Sequence, residues 1–460
     1  MHSREAYVRP TAPIAPLLAK ELREVTAGRA LWTMLLLVCP LVGYSFVQAV
    51  SLYSESSAAA LQSPVLARSL SPLDGILVPT FGSFYVAVTL LFPFVAIRVL
   101  GQEKESGALR LLVQLPYRTS TLVAAKFCAA LAAWLIVSIP ALSALAAWAM
   151  LGGHLAAPET LNLLFGHLLY GVLAGAIGLF AAVVSDSSAT AAIIALAVTI
   201  GSWVLDFALA GGSGLSAWLA QLSLTQALRP FEQGLLSAGL VLGITTAIGG
   251  LAALTIVWLP PGTPVRTKVI RSGLCVLAIV AGLAAAAQIR ESVDVSQDRR
   301  NSFSSADERL LATLRRPLVI RVDLAAEDPR YIDLRRNVLA KLERVMPDVT
   351  VILASGRSNI ANSDAYGQID FAYGDRTDVS RSTSPREILP LLYALAGAKP
   401  PAPSLGEEYP GYPLVVSADA ALLWFVGGLP LLIVLAWRHI RRLPKTRAQP
   451  FIKESSHECQ

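Results

Sequence analysis

The run Ala30-Leu-Trp-Thr-Met-Leu-Leu-Leu-Val-Cys-Pro-Leu-Val-Gly-Tyr-Ser-Phe-Val-Gln-Ala-Val50 contains no charged residue. A helix of about 20 mostly apolar residues is about 30 Å long, the thickness of the hydrocarbon core of a bilayer. Seven further stretches meet the same condition: 80–99, 125–150, 163–184, 189–209, 236–258, 271–288 and 419–437. The last two are bracketed by Arg271 and Arg290 and by Asp419 and Arg438. The stretch 125–150 exceeds one crossing, so a tilt or a kink at Pro140 is expected. Composition agrees, because 54% of the 460 residues are hydrophobic and 15% charged, against about 25% charged in soluble chains. The expected fold is an α-helical polytopic membrane protein of about eight transmembrane helices.

Charge is unevenly spread. Residues 289–416 hold 17 Lys/Arg and 18 Asp/Glu, half of the charges in the chain, and read as an aqueous domain between the last two spans. The net charge of +6 arises elsewhere, in basic clusters that flank apolar runs. Lys20, Arg23 and Arg29 precede the first span; Arg98, Lys104, Arg110, Arg118 and Lys126 surround the link from the second to the third. The 259–271 loop and the C-terminal tail are basic too. Basic residues beside spans favour the cytoplasmic side. Eight spans put all four clusters there, with both termini cytoplasmic and 289–416 outside. This placement marks topology determinants and argues against a nucleic-acid partner. Cys39, Cys128 and Cys275 lie in apolar runs and Cys459 in the tail, with no disulfide or metal spacing. The polar leader with Glu5, Glu21 and Glu24 does not read as a cleavable signal peptide.

In the leader, residues 1–29, Ile14, Leu18, Leu22 and Val25 fall at helical spacing, with Lys20, Glu21, Arg23 and Glu24 elsewhere around the helix. That pattern predicts an amphipathic helix on the inner membrane face, in contact with membrane lipids. Segment 211–235 mixes Trp218, Leu222 and Leu228 with Gln221, Arg229 and Glu232, as an interfacial or re-entrant hairpin would. Within 289–416, Pro317–Leu324 alternates as a strand, 331–345 has helical periodicity, and Val349–Leu353 is β-rich. Strand, helix and strand in succession predict a βαβ unit with a parallel pair, hence an extracytoplasmic α/β domain. Tyr366–Tyr373 reads as a further strand, Ser384–Ala396 as a helix, and 397–413 as a Pro/Gly-rich tether to the last span.

The most informative segment directly follows the second span: Gly101-Gln-Glu-Lys-Glu-Ser-Gly-Ala-Leu-Arg-Leu-Leu-Val-Gln-Leu-Pro116. Leu109, Leu112 and Val113 share one helix face, Glu103, Glu105 and Arg110 mark polar positions, and Pro116 ends the helix. A short amphipathic helix fused to a span can pass motion from a partner into the membrane, its apolar face giving contact area and its charges register.

This segment resembles the coupling region of ABC-2-type exporter permeases, a pattern of the form E-x-E-x-G-T-L-x-x-L-L-x-x-P followed by a basic span start. The matching residues are Glu103, Glu105, Gly107, Leu109, Leu111, Leu112, Leu115, Pro116 and Lys126, with Ala108 in place of Thr. Lys20-Glu21 is similar to the family's N-terminal interface helix, and Arg229-x-Phe231-x-x-Gly234-Leu235 resembles the segment before its last core span; the likeness covers about 12–258, six spans. A second likeness, to the extracytoplasmic domain of gliding-motility-type ABC auxiliary proteins, rests on Asp294-Val-Ser-Gln-Asp-Arg-Arg-Asn-Ser-Phe-Ser304 and the strand at 317–322. In that motif Ser296 stands for Thr and Phe303 for Leu.

The first likeness implies a permease subunit in the bacterial cytoplasmic membrane that couples ATP hydrolysis by a separate ATPase to export or another envelope process. Glu103, Glu105, Gly107, Leu109, Arg110, Leu112 and Pro116, with Lys20 and Glu21 in the leader, would meet the ATPase. ATP and Mg would sit on that partner and no cofactor on this chain. A homodimer or heterodimer of permease subunits and an envelope partner for the outer domain are also implied. The alternative is a non-transporting adaptor that transmits ATPase-driven motion to envelope partners. No G-x-x-x-x-G-K-[ST] phosphate loop or H-E-x-x-H metal pair occurs, and Gly211-Gly-Ser-Gly214 lacks the spacing of a nucleophile turn. Gly171-x-x-x-Gly175 and Gly239-x-x-x-Gly243 predict close helix packing within or between subunits.

Overall fold

The computed structural model describes residues 14–208, 223–325, 328–353, 366–402 and 409–442. Residues 211–222, most of the expected outer hairpin, and Lys445 and Arg447 of the basic tail lie outside them. Among the described residues, eight helices are long and apolar enough to span a membrane: Arg29–Ala60, Leu73–Glu105, Thr119–Met150, Ala157–Val184, Ser188–Leu205, Ala238–Trp258, Val265–Gln288 and Asp419–Arg442. Each overlaps one of the expected stretches, and the first two run well beyond them. The third is interrupted at Ser138, giving Thr119–Val137 and Ile139–Met150. Pro140 lies in the first turn of the second piece, where its missing N–H costs no hydrogen bond. That third helix also starts six residues earlier than expected, which moves Lys126 from its first turn to a position two turns in.

The second span is the centre of the bundle, packing on the first, fourth and fifth. The sixth joins the fourth to the seventh, and the eighth leans on the first. Gly171 lies against the Trp134 indole and Gly239 against the carbonyls of Ala286 and Ile289, so both glycine pairs serve contacts within the chain. The seventh span is mostly exposed and presents Leu274, Leu277 and Val280 outward.

A second hydrophobic cluster lies beyond the bundle, at the end opposite the leader helix. A two-stranded ribbon, β1 (Leu235–Ser237) with β2 (Ser292–Asp294), leads to it. Its sheet has the order β4-β3-β5-β6, with β3 Leu318–Val322, β4 Val349–Leu353, β5 Ile369–Tyr373 and β6 Arg376–Ser380. β3 and β4 are parallel, joined by the helical segment 329–345, as a βαβ unit requires. β5 and β6 add antiparallel strands. Helix Pro385–Ala396 is capped by Ser384 Oγ, which accepts the Arg386 N–H. Leu334, Val338, Leu342, Ile388 and Leu392 from the helices bury against Ile320, Val322 and Phe371 of the sheet.

The described residues just before the last span dock on the bundle. Tyr412 donates its N–H to Leu70 O and accepts from the Tyr53 hydroxyl at 2.7 Å, while Val416 N–H reaches Ser54 Oγ at 3.1 Å. Gly411 has φ +71°, and a Cβ there would overlap the Ala67 carbonyl, so glycine alone fits this crossing. The other crossing is organised by Asp294, whose carboxylate accepts the N–H groups of Ser296 and Asn301 and the hydroxyls of Ser296 and Ser302. Arg300, on the loop so formed, reaches Asp298, Ser71 and Asp74 at the start of the second span. Lys341 and Arg344 grip the carbonyls of Ser302 and Asn301 from the α/β side.

Candidate coupling site

The last turn of the second span, Glu103-Lys-Glu105, sends consecutive side chains to different neighbours, as about 100° per residue dictates. Glu103 turns towards the leader helix Ile14–Ala27 and the third span. Its carboxylate meets Lys126 at 2.5 Å and Lys20 on its other oxygen. Lys126 also binds Glu21 at 3.1 Å and the Val99 carbonyl at 3.0 Å. Glu21, Glu103 and Lys126 are 1%, 5% and 3% exposed, so the cluster is internal. Lys104 donates to the Val183 and Ser185 carbonyls where the fourth span ends. Glu105 accepts the Ser188 N–H at 3.0 Å and its hydroxyl at 2.6 Å where the fifth begins. A cation at a helix C-terminus and an anion at an N-terminus each satisfy orphan backbone groups and oppose the local dipole charge. Three residues therefore tie the second span to the leader and to three other spans.

Electrostatics follow from this burial. Desolvation pushes the Glu21 carboxyl above the usual carboxylate range, against the pull of Lys126. At Lys20 burial disfavours the charge, but the hydrogen bond to Glu103 and the charges of Glu21, Glu103 and Glu24 outweigh it and hold the amine protonated beyond its usual range. Carboxylate oxygens of Glu21, Glu24 and Glu103 lie within 4.8 Å of one another, close enough to share a cation. Lys20 and Lys126 already supply positive charge to this group, which makes it an ion-pair cluster.

Gly107, at φ +77°, turns the chain from the span into the short helix Ala108–Gln114. Leu109, Leu112 and Val113, expected as the partner-facing stripe, rest half-buried on the bundle. Leu111 and Leu115 are the outward pair, 68% and 45% exposed, beside exposed Arg110 and Pro116. Glu103 and Glu21 are internal, Glu105 is exposed but engaged, and Lys20 sits at the rim. On the leader, the buried face is Leu17, Glu21 and Val25, rotated from the expected stripe, with Ile14 exposed. That rotation follows from the ion pair, since Glu21 must face Lys126. Sequence reasoning counted Lys104 only among the basic residues that set topology, Leu111 and Leu115 only as motif matches, and Lys126 only as a basic span start. The legible signal for Lys126 was a charge with apolar neighbours on both sides, which demands a buried partner.

A groove of about 710 Å³ runs between the leader and this short helix, with Lys20, Glu24, Leu111 and Leu115 among its walls. Among the described residues, eight helices long and apolar enough to span a membrane, with short amphipathic helices clamped to one end, define a multi-pass membrane protein. Residues 15–284 match the family described as ABC-2 family transporter protein, and the chain belongs to that family, as a permease component of an ABC transporter. The match runs from the leader helix into the seventh span, further than the six spans read from motifs, and ends before the α/β unit. Membership implies partnership with an ABC ATPase subunit. No curated protein matches the chain.

Proposed function

We propose that this permease couples ATP hydrolysis by a separate ATPase subunit to export or another cell-envelope process, and that the ATPase docks on the leader helix and Ala108–Gln114. The observation that carries the reading is the exposed Leu111–Leu115 pair on a helix whose other face is anchored to the bundle. A push on that pair is delivered to Gly107 and the Glu103–Glu105 clamp, hence to four spans together. ATP and Mg belong to the partner, the leader end faces the cytoplasm of a bacterial inner membrane, and both termini lie there. Two permease subunits enclose the path, and 289–416 forms an extracytoplasmic domain, related to gliding-motility-type auxiliary domains, that meets an envelope partner. The division into leader, six-span core, seventh span, outer domain and last span with tail belongs to the same proposal.

The test uses the full chain co-purified with its ATPase. L111D/L115D removes the apolar contact and lowers ATPase retention by on the order of tenfold or more, the size of an interface hot spot, with an unchanged melting temperature. Full retention with unchanged ATP hydrolysis would sink the assignment. Glu103→Lys is a poor probe of docking, because it adds a third cation beside Lys20 and Lys126 and breaks the cluster itself. The fastening of the outer unit at both crossings favours a second reading, a non-transporting adaptor that moves an envelope partner. ATP-dependent flux in vesicles supports export, whereas ATPase coupling without flux supports the adaptor.

A further inference from the structure

Arg29 and Arg98 occupy equivalent heights on neighbouring spans. Arg29 immediately precedes the uncharged run 30–54, and Arg98 immediately follows the uncharged run 75–97. Both therefore stand at the edge of the hydrocarbon layer at the leader end, the level of lipid phosphates. Both are exposed, and both line the groove beside the leader helix. Among the described residues neither is in an ion pair, although the charge of Arg98 acts on the Glu105 carboxylate across the cleft they share. Glu21 and Glu103 hold Lys126, Glu24 holds Lys20, and Glu105 accepts from Ser188. Arg98 also stands in a cleft of about 490 Å³ between the second and fifth spans, where Phe94, Ile97, Ala189 and Ala192 form an apolar side and Gln102, Glu105 and Ser188 a polar one. That volume falls within the range of ligand sites.

We propose that Arg29 and Arg98 bind the phosphate of an anionic phospholipid from the leaflet at the leader end, with an acyl chain lying in the cleft between the second and fifth spans. An arginine at the hydrocarbon edge that no carboxylate contacts directly is stabilised by an anion, and the guanidinium fork matches phosphate oxygens in pairs. The apolar side of the cleft beside Arg98 accepts the chain that a soluble anion lacks. The lipid would occupy the joint between the leader, the second span and the fifth, the same elements that Glu103 and Glu105 tie together.

The proposal is tested on the full-length protein in detergent, by native mass spectrometry of lipid retained from mixtures of phosphatidylglycerol and phosphatidylcholine. Wild-type protein retains phosphatidylglycerol preferentially. R29Q and R98Q each lower that retention about fivefold, the value of one basic residue at an anionic membrane surface. R98K keeps part of it, and R271Q, at the start of the seventh span, leaves it unchanged. Melting temperatures of all variants match wild type. Retention by R29Q/R98Q equal to wild type overturns the site, as does equal loss of phosphatidylcholine. Displacement of the lipid by inorganic phosphate alone assigns a soluble anion instead. Unchanged lipid retention with lost ATPase co-purification makes the two arginines a protein contact.

Discussion

The two ends of the second span are held by charge in opposite ways. At the leader end Glu103 is buried in a closed set, where Glu21 shares Lys126 with it and Lys20 caps its outer oxygen. At the other end Asp74 is more than half exposed and meets Arg300, which divides its donors among Asp74, Asp298 and Ser71. The first arrangement lies inside the region shared with the family, whereas Arg300 comes from the segment beyond it. Desolvated ions tolerate no loss of partner, while a network open to water redistributes its bonds. One helix thus ends in a rigid clamp on one side and an adjustable joint on the other.

The difference can be broken first at the clamp. K126M leaves two buried carboxylates without their shared cation and is expected to cost about 3–5 kcal/mol, read as a lower melting temperature in detergent. Combining it with E21Q and E103Q should recover most of that loss, because the penalty belongs to the unpaired charges. A K126M protein as stable as wild type would show that the clamp is dispensable. At the joint, R300M removes charge-assisted bonds to partly exposed groups and should cost about 1–3 kcal/mol. Hydrogen exchange should quicken around 294–304 and leave the Glu103 region unaffected; equal quickening at both ends would contradict the contrast.

A further expected effect concerns pH. Glu232, on the helix Leu224–Glu232, has its carboxyl pushed up to about 7 by burial, with Arg229 offsetting only part of the shift. The folded chain then keeps a proton that the unfolded chain releases near 4.5. Stability falls as pH rises between those values and levels off above them. E232Q should flatten that slope in melting curves, and an unchanged slope would place its origin elsewhere.

Much of this architecture is legible in the sequence. Apolar length alone locates every span, and the alternation of 317–324 and 349–353 about a periodic segment locates the βαβ unit. The partners of Glu103 are not legible there, because Lys20, Glu21 and Lys126 are far from it in the chain and meet it only when the leader folds back on the third span. The helix stripe Leu109, Leu112 and Val113 is visibly apolar, but periodicity cannot say whether such a face meets its own bundle or a partner. The Pro/Gly content of 397–413 marks a chain without regular structure, yet Gly411 and Tyr412 dock on the bundle through backbone bonds that composition does not encode.

What the sequence alone determined was the number of membrane-spanning helices, the presence of a charged α/β unit before the last of them, and a family motif at 103–116. These follow from one-dimensional quantities: the length of an apolar run, the placement of charge, the period of a pattern. Tertiary structure decided which charges are partners and which faces remain free. Burial raises the cost of an unpaired ion so steeply that Glu21, Glu103 and Lys126 must find one another, and only the packed bundle brings them within reach.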